Sequence, residues 1–130
     1  MKTIIHCMSE AVWNEIQNQE FYVTPTLDKE GFIHCSDVDT LHRVADYMFT
    51  DDKESLILLC IDTSIVKAEV VWEDLYNDGT DYPHIYGPLN LDAVTAVLPF
   101  LRNTNGKFVL NEELSITKSS KSQKSVYFRL

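Results

Sequence analysis

A chain of 130 residues with 45% apolar and 24% charged residues has the size and composition of one globular domain, large enough to bury a core without covalent staples. Eleven basic against 20 acidic residues give a net charge of -9, which argues against a general nucleic-acid binder because a phosphate backbone is held by clustered Lys and Arg. No apolar run approaches the roughly 18 residues of a spanning helix, and Met1-Lys2-Thr3 leads directly into a strand-like segment, so the expectation is a soluble cytoplasmic protein with no secretory leader.

In chain order, residues 3–8 read as a strand, and Ser9 is a suitable N-cap for a helix to about Asn18 with Val12, Trp13 and Ile16 on one face. Phe21–Val23 reads as a short strand broken by Pro25. Gly31 opens another strand over Phe32–Cys35, and Ser36, with Asp39 three residues on, is expected to cap a second helix to about Phe49. Ser55–Ile61 is almost continuously apolar and reads as a central strand covered on both faces. Val66–Trp72 alternates, with Val66, Ala68, Val70 and Trp72 on one side. Asn77–Asp81 is a loop of turn formers, and Tyr82–Asn90 is a short strand bounded by Pro83 and Gly87-Pro88. Val94–Leu101 and Lys107–Leu110 flank Asn103–Gly106 and read as a hairpin. The whole predicts an α+β fold of mostly antiparallel, curved sheets with two helices in the N-terminal half. Residues 1–114 form its single domain. Residues 115–130 are a polar Ser/Lys-rich extension whose end, Val126–Leu130, can return as an edge strand.

The residues able to do chemistry are few. Cys7, Cys35 and Cys60 lie in apolar contexts with no C-x-x-C spacing and read as buried thiols. His42 falls on the polar side of the second predicted helix. His6, His34 and His84 instead sit among apolar neighbours in strand-like segments. Strand side chains alternate, so His6 and Cys7 cannot share a site, nor can His34 and Cys35. If their strands are neighbours, His6 and His34 can project from one face, with Ser36 on the face of His34. Glu73, beside Trp72, is a carboxylate able to act as acid or base. Tyr82, His84 and Tyr86 share one side of their strand and can wall a planar ring. There is no phosphate-cradling glycine motif. A three-histidine metal site is geometrically conceivable, but no pair has local ligand spacing, and no metal is expected.

The blocks I-I-H, E-G-F-I-H-C-S, V-x-W-E and Y-P-H-I-Y-G-P-L resemble the bacterial family called domain of unknown function 952, over about the first 100 residues. That family is similar in fold to ADP-ribosyltransferases, whose opening strand ends in Tyr-His-Gly-Thr and whose RNA 2′-phosphotransferase branch continues with His-Val-His-Leu-Ser. The likeness implies that His6 and His34 stand where those enzymes hold the ribose of NAD, with Ser36 at the polar position that follows. The chain departs from the pattern where Cys7-Met8 replaces Gly-Thr, and where Glu30-Gly31-Phe32 replaces a phosphate-binding Arg.

The sequence therefore leads to a pocket for NAD or another ADP-ribosyl compound. His6, His34 and Glu73 are its catalytic candidates, and Ser36, Tyr82, His84 and Tyr86 its ligand-binding candidates. A binding module without turnover on the same fold, and a histidine-based metal hydrolase, are the alternatives. The partner expected is a small molecule, not nucleic acid or a membrane.

Overall fold

A computed structural model describes residues 3–41 and 55–101. Among them eight strands form three antiparallel sheets, accompanied by two α-helices and a short 3-10 helix. The α+β class with mostly antiparallel pairing is what the strand-rich pattern predicts, and no helix among the described residues is long and apolar enough to cross a membrane.

The first sheet has the order β1-β4-β8, formed by Thr3–Ser9, Leu56–Asp62 and Val94–Phe100. Its middle strand, β4, is buried at every residue, because the run LILLCI offers an apolar side chain to both faces. On one face Leu56, Leu58 and Cys60 pack with Ile5, Cys7, Leu41, Ala96, Leu98 and Phe100. On the other, Ile57, Leu59 and Ile61 pack with Ile4, Met8, Ile33, Cys35 and Ile85. The second of these cores joins the first sheet to another, of order β3-β6-β5, made by Ile33–His34, Tyr82–Tyr86 and Glu69–Glu73. Val66, Ala68, Val70 and Trp72, on the side that their alternation assigns, pack against it. A two-stranded ribbon, β2 (Phe21–Tyr22) with β7 (Leu89–Asn90), completes the set. One isolated bridge, Ile5 to Ser36, ties β1 to the end of β3 through two backbone bonds of 2.7 and 2.8 Å.

Helix α1 (Glu10–Ile16) starts where Ser9 predicts, with the Ser9 hydroxyl accepting from the Val12 amide at 3.3 Å. Helix α2 (Pro25–Glu30) is unforeseen. Pro25 does not only break the preceding strand; it occupies the first helical turn, where its missing N–H costs nothing, after a Thr24 N-cap. Gly31 ends the helix in the left-handed region at φ 88°. The N-cap expected at Ser36 is also displaced. Ser36 is held in its bridge to Ile5, and it is Asp37 whose carboxylate accepts from the Thr40 amide at 2.9 Å, one residue further on. The rest of the helix expected to Phe49, His42, the hairpin partner Lys107–Leu110 and the 115–130 extension lie outside the described residues.

Gly87 shows a requirement that only packing reveals. Its φ is 157°, and a Cβ built on it would lie 2.9 Å from the Cβ of Ala68. Gly87→Ala should therefore cost about 1–3 kcal/mol in urea unfolding. Adding Ala68→Gly, which removes the struck atom, should restore part of that loss.

Candidate functional site

Two constellations emerge, and the sequence-derived candidates other than Ser36 divide between them. The first surrounds His6. By alternation His6 shares a face of β1 with Ile4 and Met8, on the side of the core between the two larger sheets. Its Nδ1 lies 2.7 Å from the backbone carbonyl of His34. A carbonyl only accepts, so Nδ1 carries the proton and Nε2 is left with a lone pair. Burial lowers the His6 pKa to about 4, more than the His34 bond raises it, and the ring is neutral at pH 7.

Ser36 Oγ is the only buried side-chain N or O atom without a partner among the described residues, so Nε2 of His6, which makes no hydrogen bond to them, reaches accessible space. His6 also lines a cavity of about 330 Å3, with Met8, Val12, Ile16, Tyr22 and Thr24 on its wall. The Tyr22 ring lies 5.7 Å from the His6 ring, and burial raises its phenol pKa. Among the described residues, no Lys or Arg lines the cavity. It has the size of ordinary small-molecule sites.

The second constellation covers the opposite face of the β3-β6-β5 sheet. His34 and His84 are directly opposed across β3 and β6, on the face away from Ile33, Cys35 and Ile85. His34 Nε2 donates to Glu30 Oε2 at 3.0 Å, and His84 Nδ1 donates to Glu73 Oε2 at 2.8 Å. Tyr76 stands between the rings, its Oη 2.5 Å from His34 Nδ1 and 3.5 Å from His84 Nε2. Tyr86 donates its hydroxyl to Glu73, and Tyr82 donates to Asp78 at 2.9 Å. Phe32 stacks on His84 with ring centroids 4.1 Å apart.

The charges follow from these bonds. The Tyr86 hydroxyl and then His84 hold the Glu73 carboxyl below its ordinary range, and Glu73 in turn raises the Tyr86 phenol. Burial lowers the His84 pKa, partly offset by Glu73.

The face shared by His6 and His34, expected from neighbouring strands, does not form. β1 and β3 belong to different sheets joined by one bridge, so the His6 ring meets the His34 backbone while the His34 ring leaves on the far side. Ser36, Glu73, Tyr82, His84 and Tyr86 do not line the His6 cavity; His34 does. Ser36 Oγ is buried without a partner among the described residues. No three His, Cys, Asp or Glu among them are placed to hold a metal ion. Cys7 and Cys35 are buried thiols in different cores, and burial lifts the Cys35 pKa far above its usual value.

Tyr76, Glu30, Tyr22 and Thr24 were not among the expected site residues. Only Glu30 left a local signal, standing four residues before His34.

A family model described as a protein of unknown function (DUF952) matches residues 7–97. No curated protein matches the chain. Among solved structures, the crystal structure of protein CC0527 from Caulobacter crescentus is similar at 24% identity and a TM-score of 0.74, covering 88% of this chain and 99% of that one. Its solution NMR structure gives 25% and 0.73, covering 89% and 99%. These likenesses show a shared fold.

Proposed function

The chain belongs to the protein family of unknown function whose model it matches over residues 7–97, and within that family we propose that it binds a ribosyl-bearing small molecule, with NAD and ADP-ribose the first class to consider, in the His6 cavity. One observation carries this reading: His6 lines the cavity as a neutral ring whose Nδ1 is committed to the His34 carbonyl, which leaves Nε2 an acceptor. A lone pair selects a donor. A sugar hydroxyl or an amide N–H meets that requirement, and a phosphate oxygen does not.

Met8, Val12 and Ile16 supply an apolar wall for a planar ring, and Tyr22 lines the same cavity. With no Lys or Arg among the described residues of the wall, a diphosphate would remain toward solvent. NAD, ADP-ribose and nicotinamide riboside should each raise the unfolding midpoint, and a ligand at 100 times its Kd should add about 2.7 kcal/mol. His6→Asn keeps a donor for the His34 carbonyl but removes the Nε2 acceptor, and should weaken binding by about tenfold. Calorimetry showing no heat with any of the three at millimolar concentration would overturn the reading.

Binding without turnover is favoured because Glu73 does not line the cavity. One observation supports a second, catalytic reading: Glu73 is held ionised by Tyr86 and His84, the charge state needed to stabilise an oxocarbenium-like transition state. Under it, mass spectrometry after incubation with NAD should detect ADP-ribose, and Glu73→Gln should abolish the product.

A further inference from the structure

The contacts between Glu30 and Glu73 leave a proton unaccounted for. Four contacts run in series: Glu30 to His34, His34 to Tyr76, Tyr76 to His84, and His84 to Glu73. Each needs one hydrogen. Two neutral imidazoles supply one apiece and the phenol supplies a third, so one contact is always empty.

The carboxylates take the ring hydrogens, and Tyr76 gives its own to His34 at 2.5 Å. His84 Nε2 then faces the lone pairs of the phenol oxygen, at 3.5 Å the longest contact of the chain. His84 is fully buried, so no bulk water competes for that nitrogen.

We propose that Glu30, His34, Tyr76, His84 and Glu73 form a one-proton clasp: a single added proton, shared by the two imidazoles through Tyr76, fills the fourth contact and fixes the 74–81 segment across β3 and β6. With it in place, His84 donates through both nitrogens, to Glu73 and to the Tyr76 oxygen, and Tyr76 still donates to His34. The two ionised carboxylates at the ends then flank one imidazolium instead of none.

The surroundings bear on where this uptake falls. Glu73 on β5 and Glu30 at the end of α2 favour a cation at His84, a charge on His34 opposes it, and Glu69 acts on Tyr86; the neutral His6 ring lies on the other side of the His34 backbone. On the 74–81 segment, Asp74 accepts from the amides of Asp78 and Gly79, and Asp78 accepts from Tyr82. Tyr86 is engaged by Glu73. Burial of His84 moves uptake to the acid side of an ordinary histidine. The clasp stands on this geometry alone and does not depend on what the His6 cavity binds.

Ring-nitrogen NMR of the full chain, titrated from pH 8 downward, tests it. At pH 8 His34 should be the Nε2–H tautomer and His84 the Nδ1–H tautomer. On acidification both rings, and the ring signals of Tyr76, should move with one midpoint. Tyr76 is 41% exposed, so Tyr76→Phe should fold normally, and it should split the two histidine midpoints by about 0.7 pH unit or more, the equivalent of one hydrogen bond. Glu73→Gln should move the shared midpoint lower. Independent midpoints in the unaltered protein, or a titration that Tyr76→Phe leaves unchanged, would overturn the clasp.

Discussion

Leu59→Ala should destabilise the protein by about 2–5 kcal/mol in urea unfolding, a large share of the roughly 5–15 kcal/mol that holds a domain of this kind together. Leu59 is fully buried at the centre of β4, where it packs with Met8, Ile33, Cys35 and Ile85 in the core joining two sheets. Truncation removes the transfer energy of the lost methyl groups and leaves a void that neighbours on two sheets cannot both collapse into. Leu58→Ala, on the other face of the same strand, should cost a similar amount. Ile65→Ala, at a residue 44% exposed, should stay within about 0.5 kcal/mol. A loss below about 1 kcal/mol for Leu59→Ala would mean that the two sheets do not meet across this residue.

The second large effect is acid sensitivity. The His6 pKa falls from 6.5 in the unfolded chain to about 4 in the fold, so the unfolded state takes up its proton first as the pH drops. Stability is fully present above about pH 6.5 and is lost progressively as the pH falls to about 4, by about 3 kcal/mol from this one residue. His84 and Glu73, both with lowered values, act in the same direction. The difference between the unaltered protein and His6→Asn isolates the His6 contribution: the variant should show a shallower decline of unfolding free energy between pH 7 and 4. Parallel curves for the two proteins would show that His6 is not buried as a neutral ring.

The parts of the fold written in short-range pattern were legible in the sequence. The continuous apolar run of β4, the alternation through Val66–Trp72 and the Ser9 cap each carry their own period or capping chemistry, and each is found where that chemistry puts it. Pro25 was ambiguous for a physical reason. The same ring that ends a strand also begins a helix, and Thr24 before it with Gly31 after it were the signals that decide between the two.

The candidate site was legible in its residue types more than in its grouping. His84, Glu73 and Tyr86 do converge, because they stand on paired strands β5 and β6. His6 separates from them because pairing partners across distant strands are not set by periodicity. Tyr76 escaped notice since it lies in a segment without regular structure, 42 residues from the His34 that it bonds. The loop beside it, Asn77–Asp81, reads from sequence only as turn formers.

The bond that sets the state of His6 ends on the main chain of residue 34, not on its side chain. Every amino acid brings that same carbonyl. The proton on Nδ1, and with it the lone pair offered by Nε2, is therefore insulated from substitution at position 34, whereas the imidazole at that position belongs wholly to the chain of contacts on the other face. Heritable change can rewrite one of the two constellations residue by residue while the other keeps its chemistry, although a single backbone unit serves both.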